Sequence, residues 1–249
     1  MATLMTHTIV GGAVFPHLAR LDPADYGSFL LGCMLVDIHI LNPAYRAATH
    51  FYYEDPIETT NLKGSCHHFL AQLDEILVRP WDELTPSEQA FAAGYLCHLA
   101  ADEAWKQMDR ESMQIHGVLW WRDLPVPPGV TLRVFDELLL PRENEYHFKQ
   151  ALSDTQVPDI FKHVPYPAFQ ELWAAVKPHI LAGGTRASYL EMLARLGKVN
   201  PEIQASLQED ARYSGAGGEV IDRYLKGVPA RMDAMLSRSL QQVPRLWER

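Results

Sequence analysis

The chain has 249 residues, of which 47% are hydrophobic and 21% charged, and its formal net charge is -9. This size and balance predict a globular protein with a substantial core, in one large domain, with two small domains as the alternative. The negative charge argues against duplex nucleic acid as a partner, because that binding depends on Lys and Arg side chains that neutralise phosphates. It does not exclude one small phosphate ester, because bound metal ions supply local positive charge.

The N-terminal sequence and the cysteines indicate the cellular compartment of the protein. The first residues carry no basic region followed by an apolar run and a cleavage site, and the apolar stretch 28–35 is too short to span a bilayer. Cys33, Cys66 and Cys97 lie apart in apolar segments, which is typical of reduced core residues rather than of a disulfide framework. These features predict a cytoplasmic protein without integral membrane association.

Helical patterns dominate the first 80 residues. Pro23 and Asp25 predict the start of a helix that continues through the apolar sequence YGSFLLGCMLVDIHIL. Residues 40–60 contain two Pro turn signals and are predicted to be irregular. Apolar residues then recur at helical spacing over 62–77, which predicts a second helix.

A capping motif marks the next helix. Thr85 is the expected N-cap, Pro86 occupies the first helical position, and Glu88 completes a capping box. This helix is expected to run to about Met108.

The second half is also predicted to be helical, with Pro-rich connections at 123–129 and 156–167 and Gly-rich ones at 183–184 and 214–218. Helices are predicted over 131–153, 168–181, 186–196, 201–212 and 219–242. No alternating run is long enough to predict a strand, so the expected fold is an all-α bundle of about eight or nine helices. The expected single domain, 1–249, has a metal-binding part over about 1–125, and helices over about 130–249 complete the bundle.

Two candidate metal ligands, His98 and Asp102, lie on the helix that starts at Pro86. They are four residues apart, so their side chains project from the same helical face, and an imidazole beside a carboxylate can bind a divalent ion. Gly94 is expected to leave space above His98, and the surrounding alanines indicate close packing against a neighbouring helix. The alternative is an ordinary helix with a satisfied histidine and an acid at its rim.

Other candidates come from separate segments, as expected for a site assembled across a bundle. Asp37 ends an apolar series, His50 lies in ATHFYYED, and His7 lies in MTHTIV. Their alternative interpretations are a surface acid, a loop histidine stacked on an aromatic ring, and a partly buried N-terminal residue. Glu103 adjoins Asp102 but lies about 100° around the helix, and it is the next candidate base after Asp37.

Four pieces of the chain occur in an informative order. They are Thr6-His7, FLLGCMLVDI over 29–38, Thr49-His50-Phe51, and GYLCHLAADEAW over 94–105. Together they resemble the zinc-dependent phospholipase C family over about residues 4–105. The resemblance implies an all-α bundle, shared with the single-strand-specific fungal nucleases, that holds up to three zinc ions.

The resemblance also implies roles for individual residues. Asp37, His50, His98 and Asp102 would hold one zinc ion, and His7 with the other oxygen of Asp102 would hold a second. Asp37 would also act as general base toward the attacking water.

The chain departs from the family pattern where the third zinc ion is bound. Positions 103–109 read EAWKQMD, without a histidine, and no H-x-x-x-E follows Asp102. His116 and His147 could stand in, but nothing in the sequence marks them. One or two ions are therefore expected, zinc first, with manganese or iron as alternatives.

The sequence thus predicts a zinc-dependent phosphoric ester hydrolase that acts on a small phosphate ester through metal-activated water. An HD-type phosphohydrolase is a competing class, but its contiguous His-Asp pair does not occur in the sequence. A non-enzymatic alternative is a helical binding or scaffold protein that retains a structural or vestigial metal site.

Overall fold

The computed structural model describes residues 4–51, 65–116, 147–183, 185–199, 201, 237–245 and 247. Their helices are α1 Leu4–Val14, α2 Tyr26–Leu35, α3 Tyr45–His50, α4 Ser65–Ala71, α5 Leu73–Ile76, α6 Pro86–His116, α7 Phe148–Ser153, α8 Tyr166–Leu181 and α9 Arg186–Arg195. Residues 237–245 are helical as well. These residues contain no strand, only an isolated antiparallel bridge between Leu77 and Phe161. The all-α prediction is confirmed.

The core is built around the crossing of α2 and α6. A Cβ atom on Gly32 would lie 2.1 Å from the carbonyl oxygen of Phe91, and one on Gly94 would lie 1.9 Å from that of Phe29. Only glycine fits at these two positions, so the helix backbones approach closely. The space that Gly94 was expected to leave above His98 is filled by the backbone of α2.

The chain passes from an α-helix to a 3₁₀ helix at the end of α2, close to the candidate ligand Asp37. Every residue from Gly27 to Leu35 is buried, and the chain continues as a 3₁₀ helix, Val36–Ile40. Asp37 has φ -73° and ψ 23°, outside the helical region, so the chain kinks there. The kink redirects the residues that follow Asp37.

The predicted start of α6 is confirmed in atomic detail. The backbone N–H and the hydroxyl of Thr85 donate to Glu88 Oε2 at 2.8 and 2.9 Å, and the N–H of Glu88 donates back to Thr85 Oγ1 at 3.3 Å. The helix continues to His116, well beyond the end predicted near Met108.

Three other features differ from the predictions. No helix is predicted before Pro23, yet α1 forms there, and almost all of its residues are buried. Residues 40–60 are predicted to be irregular, but α3 occupies part of that range. The helix predicted over 62–77 is broken at Gln72 into α4 and α5. α1 contains Gly-Gly and several β-branched residues, so burial against neighbouring helices outweighs its weak helix propensity.

Two helices of the second half agree with the predictions. α8 and α9 match the predicted helices to within a few residues, and a Pro-punctuated connection precedes α8. The continuous helix predicted over 131–153 is wrong at His147, whose left-handed backbone precedes the start of α7 at Phe148. The predicted loop 123–129 and the segments 131–146 and 202–236 lie outside the described residues. No helix in the described part of the chain is long and apolar enough to cross a membrane.

Candidate metal centre

The five predicted ligands lie together in the structure. They are His7 of α1, Asp37 of the 3₁₀ helix, His50 at the end of α3, and His98 and Asp102 of α6. We call these five residues the His/Asp cluster. None of them is more than 5% exposed, although isolated charges and unpaired imidazole nitrogens are costly to bury. The imidazoles and carboxylates of the cluster face one another across 3.4–3.8 Å.

Four members are spaced as ligands of one ion would be. His50 Nε2 lies 3.4 Å from Asp37 Oδ1 and 3.7 Å from Asp102 Oδ2, and His98 Nε2 lies 3.8 Å from Asp37 Oδ1. Zinc bonds of about 2.0–2.2 Å in tetrahedral geometry separate neighbouring ligand atoms by roughly 3.3–3.6 Å. The three distances between these side chains are thus close to those expected around a single ion.

The second oxygen of Asp102 faces a different histidine. Asp102 Oδ1 lies 3.6 Å from His7 Nε2, and the His7 ring stacks on His98 with 3.6 Å between centroids and 13° between planes. One ligand atom from each of His7, His98 and Asp102 lies within 4.8 Å of the others. Asp102 can thus join two ion positions, and the cluster could hold one ion or two.

The orientation of His98 suits a metal ligand. Its Nδ1 lies 2.7 Å from the carbonyl oxygen of Cys33, and a carbonyl only accepts, so Nδ1 carries the proton. Nε2 then presents a lone pair to the cluster, and it has no hydrogen-bond partner among the described residues. Metal-binding histidines commonly donate their other N–H to a carbonyl in this way.

His7 points to the same conclusion. Neither of its ring nitrogens has a hydrogen-bond partner within the described part of the chain, although the side chain is fully buried. A buried polar atom left without a partner costs about 1–3 kcal/mol. A bound ion would remove that cost at Nε2, the atom that faces Asp102.

The ring of His50 is oriented by a contact at Nδ1, the nitrogen that faces away from the carboxylates. Thr49 Oγ1 lies 2.9 Å from His50 Nδ1, and the Tyr95 hydroxyl donates to the Thr49 carbonyl oxygen at 2.6 Å. Phe51 then ends α3 with φ 52°. These contacts direct His50 Nε2 toward the two carboxylates.

The protonation states also suit metal binding. Burial lowers the pKa of His7 to about 3 and that of His98 to about 4, so both imidazoles are neutral at pH 7. Burial acts to raise the pKa of Asp37, but His98, His50 and His7 together hold it well below its usual range. Neutral imidazoles and an ionised carboxylate are the forms that bind metal ions.

Glu103, the other predicted base, makes its hydrogen bonds elsewhere. Its Oε1 accepts from the backbone N–H of Cys66 at 2.9 Å, and its Oε2 accepts from Gln242 Nε2 at 3.2 Å. Burial raises the pKa of this carboxyl group. These bonds tie α6 to α4 and to the helix at 237–245, and a catalytic role for Glu103 stays a prediction.

One residue beside the cluster is absent from the predicted ligand set. His39 Nδ1 lies 3.5 Å from Asp37 Oδ1, and Asp37, His39 and His50 each offer a ligand atom within 4.8 Å of the others. An α-helical reading of this segment places residues two apart on nearly opposite faces, about 200° around the axis. The kink at Asp37 brings them together, so helical spacing could not have found the pair.

Two other buried or partly buried histidines bond to residues outside the cluster. His179 Nδ1 pairs with Ser188 Oγ at 2.9 Å, and His163 Nε2 lies 3.3 Å from the Tyr95 hydroxyl. His147, a possible stand-in for a third-metal ligand, is exposed at the start of α7. The side chain of His116 lies outside the described part.

Comparison with protein-family models, with curated proteins and with solved structures finds no match to this chain. The resemblance to the phospholipase C family, and the type of bundle that it implies, therefore stay predictions.

Proposed function

We propose that the protein is a metal-dependent phosphoesterase that hydrolyses a small phosphate ester through metal-activated water. The observation that carries the proposal is the position of Asp102, whose two oxygens face His50 and His7 at 3.7 and 3.6 Å. A carboxylate shared in this way supports two adjacent ion positions, which is a common arrangement in phosphate-ester hydrolases.

Each member of the cluster has a part in this proposal. Asp37, His50, His98 and Asp102 would hold one ion, and His7 with Asp102 would hold the other. Zinc is the first choice, and manganese and iron also suit mixed nitrogen and oxygen ligands. When bound, such ions lower the pKa of a coordinated water molecule and neutralise charge on the phosphate.

The chain itself supplies orientation and a proton acceptor. The carbonyl oxygen of Cys33 holds His98 in one tautomer, and Tyr95 and Thr49 hold His50. The lowered pKa of Asp37 keeps its carboxylate ionised at neutral pH. Its position beside His50 and His98, at 3.4 and 3.8 Å, makes this ionised carboxylate the residue proposed to accept the proton of the attacking water.

The first test measures metal and activity in the same preparation. Protein purified without a histidine tag is expected to contain one or two transition-metal ions per chain by elemental analysis. It is then assayed with bis-p-nitrophenyl phosphate, phosphocholine esters and nucleotides. Metal-free protein that gains no thermal stability from added zinc or manganese would refute the proposal.

The second test removes the proposed base. Asp37→Asn keeps the shape of the side chain but cannot accept a proton, so turnover should fall by about 10²–10⁴-fold. Asp74→Asn, at an exposed carboxylate of α5, is the control and should retain full activity. Undiminished activity in Asp37→Asn would remove Asp37 from the mechanism.

Deep burial favours a second candidate function. Structural metal sites are closed, whereas catalytic sites keep a position open for substrate, and every member of the cluster is at least 95% buried. A helical binding or scaffold protein with a structural ion would show this burial too. Bound metal without turnover of any substrate in the panel would favour that alternative.

A further inference from the structure

His39 lies at the edge of the His/Asp cluster, and its two ring nitrogens face different groups. Nδ1 lies 3.5 Å from Asp37 Oδ1, without a hydrogen bond among the described residues. Nε2 lies 2.7 Å from Arg46 Nη1. The His39 side chain is 11% exposed, compared with 5% for Asp37, so it lies farther toward solvent than the carboxylate it faces.

The contact with Arg46 determines where the His39 ring carries its proton. A guanidinium group has donors only and stays protonated in proteins. At 2.7 Å from this donor, Nε2 of His39 must accept, so it carries a lone pair and no hydrogen. The proton of the neutral ring is then on Nδ1, the atom that faces Asp37.

This tautomer conflicts with metal binding by His39. A ligand nitrogen needs a lone pair, and Nδ1, the nitrogen near Asp37, carries a hydrogen while Arg46 is bonded to Nε2. We infer that His39 is a positioning residue and not a metal ligand: Arg46 holds it in the tautomer that directs an N–H toward Asp37. The inference rests on the proposed role of Asp37 in the site.

The local fold links this arrangement to the ligands. Arg46 and His50 are four residues apart in α3 and share one helical face, while Asp37 and His39 belong to the 3₁₀ helix opposite. Polar contacts join the two elements at His50 Nε2 with Asp37 Oδ1, 3.4 Å apart, and at Arg46 with His39, 2.7 Å apart. The rings of His39 and His50 also meet edge to face, with 5.1 Å between centroids. The same docking places the ligand His50 and selects the tautomer of His39.

The tautomer of His39 limits where ions can bind. Asp37, His39 and His50 are close enough to bind an ion, but the Arg46 contact removes the His39 ligand from that set. Ion positions are then confined to the groups that share Asp102. Replacing a residue that contacts a metal ligand typically changes metal affinity or activity by about 10–100-fold.

The first experiment reads the tautomer of His39 in the full-length, metal-free protein. Long-range ¹H–¹⁵N NMR correlations at pH 7.5 distinguish the two neutral tautomers, and His39→Asn identifies the His39 signals. Wild-type protein should show a protonated Nδ1. Arg46→Met should shift the population toward a protonated Nε2, while Arg20→Met, at an exposed arginine, should leave it unchanged. A protonated Nε2 in the wild type would overturn the inference.

The second experiment measures zinc by elemental analysis and by competition with a chromophoric chelator. Asparagine can place an N–H near the position of Nδ1 but supplies no imidazole ligand. His39→Asn should therefore match the wild type in zinc number and bind within about threefold, whereas His39→Ala should bind about 10–100-fold more weakly. Loss of one zinc ion in His39→Asn would show that His39 is a ligand. If the wild type binds neither zinc nor manganese nor iron, the proposed function fails, and the NMR measurement still decides the tautomer.

Discussion

Two histidines of the cluster, His98 and His50, are oriented by the contact that their Nδ1 atom makes. His98 donates from Nδ1 to the Cys33 carbonyl oxygen, and Nδ1 of His50 lies beside the Thr49 hydroxyl. The acceptor or donor behind the ring thus decides which nitrogen meets the carboxylates. Tyr95 extends this support, because its hydroxyl bonds to the backbone of Thr49, next to His50.

Tyr95→Phe tests that support. The substitution leaves the Thr49 carbonyl without the hydroxyl that donates to it at 2.6 Å in a fully buried environment. We expect a loss of about 1–3 kcal/mol in the free energy of unfolding, together with weaker zinc binding, because the residue before His50 is less firmly held. Urea unfolding and chelator competition measure the two effects.

Tyr166→Phe is the matched control for this prediction. The Tyr166 hydroxyl donates to the Val157 carbonyl at 3.2 Å in a partly buried position away from the cluster. Its loss should cost less stability and leave zinc affinity unchanged. Equal zinc affinity in Tyr95→Phe and the wild type would show that Tyr95 does not support the site.

Among the elements, α2 and α6 matter most for the site, because their crossing sets the distance between Asp37 and the α6 ligands. Gly32 and Gly94 let the two backbones meet, each beneath a carbonyl of the other helix. His98 lies one turn after Gly94 and is bonded to Cys33, one residue after Gly32. Any change in the helix separation must therefore move ligands.

Gly94→Ala should separate the two helices. The added methyl group would lie 1.9 Å from the Phe29 carbonyl oxygen, a backbone atom that cannot rotate away. Overpacking in cores costs about 1–3 kcal/mol, occasionally more, and we expect the upper end together with loss of zinc binding. Differential scanning calorimetry and elemental analysis are the measurements.

Gly197→Ala provides a comparison without a steric clash. Gly197 has φ 64°, and a Cβ there would have no neighbour within 4 Å. Only the left-handed backbone is penalised, at about 1–2 kcal/mol, and zinc binding should be unaffected. A Gly94→Ala protein as stable as Gly197→Ala, with zinc bound, would contradict the importance of the close crossing.

Glu103→Gln separates a structural from a catalytic role. The amide oxygen can still accept from the Cys66 N–H, and Gln242 can rotate its own amide to accept from the new NH₂ group. If Glu103 only connects α6 to its neighbours, activity toward phosphate esters should stay near the wild-type level and stability should change by less than about 1 kcal/mol. A loss of turnover as large as that of Asp37→Asn would make Glu103 the base.

At the scale of the whole molecule, buried histidines make the metal-free fold sensitive to acid. Burial lowers the pKa of His7 to about 3 and that of His98, His163 and His179 to about 4, from an ordinary value of 6.5. Between pH 6.5 and pH 4 these histidines are protonated in the unfolded chain but neutral in the folded chain. Stability is therefore unaffected by these groups above pH 6.5 and falls as the pH decreases toward 4.

The free energy of unfolding of metal-free protein should thus decrease steadily between pH 6.5 and pH 4, as measured by urea titration in the presence of a chelator. His179→Gln removes one of these groups outside the cluster and should make the decrease shallower. Zinc should raise stability at neutral pH, by about 2.7 kcal/mol at a free concentration 100 times its Kd. A profile that is flat from pH 7 to pH 4 would contradict the burial of these histidines.

The sequence by itself determined what depends on residues close together in the chain. The start of α6 was predicted correctly because the capping box joins Thr85 to Glu88, three residues away. The shared face of His98 and Asp102 follows from the helical repeat alone. The all-α class also follows from periodicity, since no strand pattern competes with it.

Only the tertiary structure decided which distant segments meet. α1 is helical because packing against other elements outweighs its weak local propensity, and α3, with six residues, is too short to show a helical repeat in the sequence. These helices bring His7 and His50 to the cluster. The pairing of His39 with Asp37 and Arg46 needs a kink and the docking of α3, neither of which helical spacing predicts. Such contacts depend on free energies summed over many residues remote in the chain, so local patterns do not encode them.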